Sequence, residues 1–471
     1  MSQYELQVTD LAVTDRHGNS LVQPCSFRLA PGTALTIIGE SGSGKSLLVQ
    51  AIMGTLAPAL ISTGTIKLGD TSTAAANGEL RRPWWGHSLA LLPQEPWLAL
   101  DPTMPADRQV AESYQLIARP GLSRTQAMTN ARADLQALGV NTGAQRYPFM
   151  LSGGMAQRVA FAATRAGGAP VVILDEPTKG LDEEARASLL DILHTFIAQG
   201  GSVLTITHDL HVARSLGGEV MVMKESAVLE QGAATNVLQT PQHAYTQALL
   251  AADPEHWQLP HSVPITGPAI LSAQGLSKRF GDHTLFKGLD ITIHAGERIA
   301  INGPSGAGKT TLGNMLLGLV KPDSGLVKRA SGLAPLKLQK LYQDPVSAFA
   351  PRLPLKQAFA DLIKRQQLNP AELPVLLERL GLDSALLERL PSQVSGGELQ
   401  RLALTRVLLL SPALIFADEP TSRLDPISQQ ITMELLLESA AERDCAILLV
   451  THDHALAQHT MQRQLQIAPA V

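Results

Sequence analysis

The sequence predicts two α/β domains in tandem, each organised around a mainly parallel sheet. Three observations carry that expectation: a length of 471 residues, an ordered set of motifs that occurs twice, and short apolar strands alternating with helix-like patterns. Hydrophobic residues make up 45% and charged residues 17%, with a mean hydropathy of +0.07, which is ample for two buried cores and unlike a disordered chain. No run approaches the roughly 18 consecutive apolar residues that a membrane span needs. The first residues lack the basic and then apolar pattern of an export signal, so the chain is expected to stay in the cytoplasm. A net charge of −4 and a pI of about 6.4 give no electrostatic reason to bind nucleic acid. Two cysteines, Cys25 and Cys445, suit a reducing compartment, are too few for a cysteine-ligated metal site, and are expected to be inert packing residues.

The repeat is legible residue by residue. Gly39-Glu-Ser-Gly-Ser-Gly-Lys45-Ser46 recurs as Gly303-Pro-Ser-Gly-Ala-Gly-Lys309-Thr310, both fitting GxxxxGK[ST]. Downstream, Gln94 recurs as Gln343, Ser152-Gly153-Gly154 as Ser395-Gly396-Gly397, Asp175-Glu176-Pro177 as Asp418-Glu419-Pro420, and Thr207-His208-Asp209 as Thr451-His452-Asp453, in the same order. Lys309 follows Lys45 by 264 positions and Gln343 follows Gln94 by 249, whereas the serines and the glutamates are both 243 apart and the histidines 244. The first copy therefore holds 15 extra residues around Trp84-Trp85 and six more before its Ser-Gly-Gly, read as surface-loop or small-subdomain differences. Four prolines within 253–268 and no helical periodicity mark a semi-rigid linker, dividing the chain into domains 1–252 and 269–471.

Each glycine-rich segment follows a short apolar strand, Ala34 to Ile38 or Arg298 to Ile301, and precedes a helical pattern, the context a phosphate loop requires. Gly39, Ser41, Gly42 and Gly44, like Gly303, Ser305, Gly306 and Gly308, let backbone N–H groups curl around phosphate oxygens. Lys45 or Lys309 supplies a full charge, and the Ser46 or Thr310 hydroxyl is a ligand for Mg²⁺. The expected ligand is ATP held by its tail. The runs ending at Asp175-Glu176 and Asp418-Glu419 read as buried parallel strands whose C-terminal tips face the nucleotide. The first acid is expected to support Mg²⁺ and the second to act as general base on the attacking water. Paired acids at strand ends also cap following helices, and the repeat decides for chemistry. His208 and His452 follow further apolar strands and reach the same edge, where they are expected to sense the γ-phosphate. A metal site at Thr451-His-Asp-His454 is the weaker reading.

Leu151-Ser-Gly-Gly-Met-Ala-Gln-Arg158 and Val394-Ser-Gly-Gly-Glu-Leu-Gln-Arg401 resemble the signature sequence of ABC ATPases. With both phosphate loops, glutamine loops, acid pairs, the D-loop-like Gly180-Leu-Asp182 and Arg423-Leu-Asp425, and the histidines, the resemblance spans nearly the whole chain. It implies tandem P-loop NTPase domains, each adding to its sheet core a small antiparallel β subdomain and a helical signature subdomain. It also implies that Gln94 and Gln343 reach Mg²⁺, partly through water, and that each ATP lies between the phosphate loop of one domain and the signature of the other. One site would combine Lys45, Ser46, Gln94, Asp175, Glu176 and His208 with Ser395, Gly396 and Gly397. The other would combine Lys309, Thr310, Gln343, Asp418, Glu419 and His452 with Ser152, Gly153 and Gly154. Such domains usually stack an aromatic residue on adenine. Phe280 sits suitably in the second copy, but residues 5–26 hold no Phe, Tyr or Trp, so Asp15, Arg16 or His17 occupies that region in the first.

Tyr147-Pro-Phe-Met-Leu-Ser-Gly-Gly-Met155, Gln94-Glu-Pro-Trp-Leu-Ala-Leu-Asp-Pro102, Gln343-Asp-Pro-Val-Ser-Ala-Phe-Ala-Pro351 and the segment from Pro241 to Leu250 resemble the dipeptide, oligopeptide and nickel importer group. That segment has no counterpart after His452. The resemblance implies an importer ATPase, peripheral on the inner face of the cell membrane, that works with separate transmembrane permease subunits and a solute-binding protein. A soluble ABC protein acting on ribosomes or DNA is the rival class, disfavoured by a short linker nearly free of basic residues. An accessory ATPase of a metabolic complex, such as phosphonate lyase, is another. Trp84-Trp85 is read either as packing beneath a loop or as part of a surface meeting a membrane partner.

Overall fold

Unbroken apolar strands of five or six residues have two faces to bury, and here they do so inside parallel sheets. The computed structural model describes residues 4–94, 99–118, 122–141, 143–179, 181, 183–257, 265, 267–281, 283–304, 306–422 and 424–467. The chain divides into two units, Met1–Leu250 and Ala251–Val471. In the first, the main sheet runs in the order Ala227–Ala233, Glu219–Lys224, Ala34–Gly39, Ser202–Ile206, Val171–Asp175, Leu89–Leu92. All neighbours pair in parallel except the Glu219–Lys224 and Ala227–Ala233 hairpin at one edge. In the second unit the order is Leu338–Leu341, Leu414–Asp418, Ala446–Val450, Arg298–Asn302, Arg463–Gln466, parallel throughout. Both orders set the strand feeding the phosphate loop beside the strand feeding the histidine, which in turn adjoins the strand ending in the acid pair. Three functional segments thus leave one sheet edge at their carboxyl ends.

A separate antiparallel sheet accompanies each core. The first unit orders Ser20–Leu29, Leu6–Asp15, Leu60–Leu68 and Thr71–Ala74; the second orders His283–His294, Ala269–Phe280 and Ser324–Arg329. The extra strand and the 3-10 segment Gly78–Trp84 account for the surplus around Trp84. Trp84 is 7% exposed in the core, and the partly buried Trp85 donates its indole N–H to the Met53 carbonyl at 3.0 Å. The pair is therefore packing beneath a loop, and the partner-surface reading falls. Buried Arg81 ties this surplus down by donating to Thr73 Oγ1 and to the carbonyls of Ala74, Ala51 and Ala75.

Helices Ala106–Ser113, Arg124–Ala137 and Gly153–Arg165 bury Val110, Ala127, Ala131, Leu135, Val159 and Phe161 in one cluster. Leu355–Gln366, Glu372–Arg379 and Gly396–Leu408 do the same with Phe359, Leu376, Leu377 and Leu402. The sheet core, antiparallel sheet and helical region expected in each half are all present. At the start of the predicted linker, Pro254–His256 forms a 3-10 turn, and Trp257, 4% exposed, packs into the core of the second unit. Residues 258–264 and 266 of that linker lie outside the described residues. Both cysteines are buried, and burial pushes the Cys25 thiol to about 11 and the Cys445 thiol to about 12, as befits packing residues.

Candidate nucleotide sites

The strand Ala34–Gly39 turns through residues 40–44 into the helix Lys45–Met53. Gly39 has φ 150°, and a Cβ there would lie 1.9 Å from the Met223 carbonyl oxygen. Gly44, at φ 94°, caps the helix with a left-handed residue, and a Cβ there would meet the Leu21 oxygen at 2.6 Å. The second unit repeats the geometry at Gly303, Gly306 and Gly308, with φ values of 151°, 82° and 93°. Ser41 and Gly42 are exposed on the first loop. The lysines fold back on their loops: Lys45 Nζ donates to the carbonyls of Gly39 and Glu40 at 2.9 and 2.7 Å, and Lys309 Nζ to those of Gly303 and Pro304 at 2.7 and 3.1 Å. Each is 7% exposed, a preorganised cation at the mouth of a helix N-terminus.

Glu176 and Glu419 lie one residue past their strand tips, at φ 50° and 48°, a left-handed conformation uncommon for a residue with a side chain. Their backbone N–H groups donate to the last carbonyl of the neighbouring strand, Ile206 at 2.8 Å and Val450 at 2.9 Å. That fixes each carboxylate beside a histidine. His208 Nδ1 lies 2.9 Å from Glu176 Oε2, and His452 Nε2 lies 2.9 Å from Glu419 Oε1. The remaining partners differ. Thr207 Oγ1 donates to Glu176 at 3.2 Å, whereas Gln343 Nε2 donates to Glu419 at 2.7 Å. Gln94 lies exposed beyond its strand end.

Burial alone would raise the Glu176 carboxyl. The facing His208 charge, its hydrogen bond, and the Lys45 and Lys179 charges outweigh burial and hold the group below its ordinary value. Burial likewise acts to lower His208, and Glu176 with Asp209 reverses it, so the imidazole is raised. Asp175 moves the other way: burial and the adjacent Glu176 charge raise it, against the Ser46 hydrogen bond and the Lys45 and Lys179 charges. Two neighbouring carboxyls are thereby separated, Glu176 kept ionised and Asp175 made easier to protonate.

Ser152 and Ser395 cap the helices Gly153–Arg165 and Gly396–Leu408. Ser152 Oγ accepts from the Met155 N–H at 3.3 Å; Ser395 and Glu398 form a reciprocal capping box. A Cβ at Gly153 or Gly396 would meet nothing within 4 Å, while Gly154 abuts Ala185 and Gly397 abuts Ser428. The first glycine of each pair therefore faces open space and the second faces packing, as a helix N-terminus that receives an anion requires.

Mg²⁺ fits the first unit. Ser46 is hydrogen-bonded to Asp175, and Asp175 Oδ1 is buried without a partner, an acceptor unsatisfied unless a cation or its water arrives. In the second unit Thr310 Oγ1 donates to Asp418 Oδ1 at 2.9 Å, and Lys340 Nζ lies 3.0 Å from Asp418 Oδ2. The same hydroxyl–acid pair is present, with a resident cation beside it.

Within each unit the phosphate loop, acid pair and histidine converge as expected. Phe280 is 56% exposed with Lys278 Nζ 5.3 Å from its ring centroid, and in the first unit the matching turn is closed by Asp15, which accepts from the His17 and Asn19 N–H groups. Ser305, Gly180, Asp182, Arg423 and residues 95–98 lie outside the described residues. Asp453 serves as the cap of helix His454–Thr460, accepting from the Leu456 N–H at 2.9 Å, a structural task for part of the weaker metal reading. Sequence reasoning placed Thr207 in the repeat without giving it a role, and missed Lys340, which was visible as a lone cation inside a short strand.

A family model described as "ABC transporter" matches residues 22–179 and 286–422. The chain is 33% identical to the peptidoglycan transport ATP-binding protein YejF of Agrobacterium fabrum, over 95% of this chain and 88% of that relative. It is 31% identical to the glutathione import ATP-binding protein GsiA of Escherichia coli K12, over 95% of this chain and 82% of that protein. Among solved structures, an RNase-L inhibitor shares the fold, with a TM-score of 0.66 and 21% identity over 97% of this chain and 87% of its own. Two phosphate loops, two acid pairs and two capped Ser-Gly-Gly helices in one polypeptide, matched along nearly its whole length by transport ATP-binding proteins, place the chain in the ABC transporter family as an ATPase with two ATP-binding domains.

Proposed function

We propose that the chain is the ATP-hydrolysing engine of an importer for peptide-derived or related small solutes, seated on the inner face of the membrane against separate permease subunits and served by a solute-binding protein. The names of the YejF and GsiA relatives support peptide-like cargo and do not mention nickel. The observation that carries the enzymatic half is the doubled carboxylate–histidine pair, Glu176 with His208 and Glu419 with His452, beside a phosphate loop. Neither ribosome- or DNA-directed action nor service in a metabolic complex is favoured by these relatives.

In this reading residues 1–252 and 269–471 are the two domains. The ATP held by Lys45 is completed by Ser395, Gly396 and Gly397 of the other domain, and that held by Lys309 by Ser152, Gly153 and Gly154. The ionised glutamate takes a proton from the attacking water, while the histidine holds the glutamate in line and contacts the γ-phosphate. Ser46 and Asp175, or Thr310 and Asp418, with help from Gln94 or Gln343, would hold Mg²⁺, which would supply charge neutralisation to the phosphates when bound. Loop N–H groups and the lysine bind the same oxygens, and the capped signature helix adds its positive end. Phe280 stacks on adenine in one site only.

The test is a purified chain carrying Glu176→Gln and Glu419→Gln. It is expected to keep two bound ATP while losing turnover by at least about a hundredfold, the scale of a general base. Sustained hydrolysis would remove both glutamates from the chemistry. Affinity capture of the tagged chain from native membranes is expected to bring down polytopic permease subunits; recovery of a soluble complex alone would refute the importer half.

A further inference from the structure

The two metal positions are not electrostatically equal. In the second unit Lys340 projects from the strand Leu338–Leu341, with its side chain only 10% exposed and its ammonium 3.0 Å from Asp418 Oδ2. Asn314 Oδ1 accepts from it at 3.1 Å, and the rings of Phe416 and Tyr342 lie 5.1 and 5.3 Å away. Asp418 spends its other oxygen on Thr310. Both carboxylate oxygens of the second unit are therefore engaged before any metal arrives.

Strand register identifies the counterpart. Lys340 pairs with Phe416, two residues before Asp418, and Leu91 pairs with Ile173, two residues before Asp175. A leucine thus stands where the second unit carries a cation, and Asp175 keeps a buried oxygen with no hydrogen-bond partner. Lys45 and Lys179 also act on Asp175, but its Oδ1 stays open. A carboxylate with both oxygens engaged, one of them by a fixed ammonium, attracts a divalent cation less than one with an oxygen open, and that ammonium a few ångströms from the metal repels it. One ion pair, one hydrogen bond and two aromatic rings hold the ammonium, so moving it aside costs all of them.

We propose that Lys340 is a built-in cation that weakens metal binding at the second nucleotide site, so that the chain carries one strong and one weak Mg²⁺ position. This rests on the reading that both units bind ATP. In the second site Lys340 takes over part of the metal's electrostatic task, and the nucleotide there depends less on the divalent ion for its hold.

The experiment uses the full chain saturated with a hydrolysis-resistant ATP analogue, with Mn²⁺ as the probe and electron paramagnetic resonance counting bound against free ion. Two classes of Mn²⁺ are expected, separated by about tenfold or more, the least that one unit charge a few ångströms from a divalent ion predicts even at the dielectric of bulk water, about 80. Lys340→Met is expected to tighten the weak class toward the strong one, and Leu91→Lys to weaken the strong one. A single class in the unmodified chain, or a weak class unmoved in Lys340→Met, overturns the inference. If Lys340→Met melts early without nucleotide, Leu91→Lys decides, and unchanged strong binding in it is the refuting result. Fewer than two analogue molecules per chain would instead defeat the two-site reading itself, so the failures are distinguishable.

Discussion

Gly313 sits four residues after Lys309 in the helix behind the second phosphate loop, and a Cβ there would lie 2.1 Å from Phe416 Cζ. Phe416 is fully buried two residues before Asp418, so its ring has no exit to solvent. In the first unit the same two places hold Val49 and Ile173, both buried in one cluster: the larger partner is on the helix and the ring is gone. Gly313→Ala therefore overpacks the contact. Inserting one carbon into a filled core costs about 1–3 kcal/mol, and replacing a helical glycine by alanine returns roughly 1 kcal/mol. The expected net loss is up to about 2 kcal/mol, which multiplies the open population by up to about 30. Native-state hydrogen exchange of peptides spanning the helix Lys309–Leu316 reads that factor within one unit, without assuming two-state unfolding of the whole chain. Phe416→Ile alone should also destabilise by leaving a void. Combined, the two changes should cost less than the sum of the singles, by about 1 kcal/mol of coupling. Faster exchange in the double variant than additivity predicts, or slower exchange in Gly313→Ala alone, would refute the reasoning.

The Glu176–His208 pair should stabilise the first unit most between about pH 4.5 and 6.5, the ordinary values of the two groups. The raised histidine contributes fully below 6.5 and is lost as pH rises through its folded value. The depressed glutamate contributes fully above 4.5 and is lost as pH falls through its own. Thermal unfolding of the parent chain against His208→Gln across pH should show the gap narrowing on both sides, and a gap that is flat with pH would contradict the pairing. Lys45→Ala and Lys309→Ala should each lower ATP stoichiometry from two to one in equilibrium dialysis; two retained nucleotides in either would count against its loop. Arg16→Tyr, beside the Asp15 turn, should tighten ATP at the first site by roughly fivefold, with ring stacking worth about 1 kcal/mol there; calorimetry showing no change would remove the proposed adenine asymmetry.

Much of this was legible in the sequence because the chemistry is carried by short contiguous segments. Gly39 to Ser46 has to be a loop between strand and helix, since its glycines take left-handed angles and its lysine must reach back along the turn. The runs Val171–Asp175 and Leu414–Asp418 announced buried parallel strands by having no polar face. Pairings between distant segments were not legible. That Gln343 reaches Glu419 depends on strand order, and that Lys340 reaches Asp418 depends on register between two strands 70-odd positions apart, which no local pattern reports. Trp84-Trp85 was ambiguous for the same reason. Adjacent aromatics look alike in a string of letters whether they face solvent or, as here, pin an inserted 3-10 segment to the helix behind it. Phe416 and Gly313 show the converse. Each is unremarked alone, and only the contact makes one the reason for the other.

The positive backbone angles at Glu176 and Glu419 set folding against the turnover proposed for these residues. Glycine, or asparagine, fits that conformation with less strain, and relief of such an outlier is worth on the order of 1 kcal/mol. Under the proposed general-base role of these two glutamates, a search for heat tolerance that never measures phosphate release is biased toward replacing them, and its sturdiest products would be inert. The protein as it stands keeps a small instability at these glutamates, as it does at other non-glycine residues with positive φ, and adaptation to a hotter habitat that preserved them would have to find compensation elsewhere in the fold.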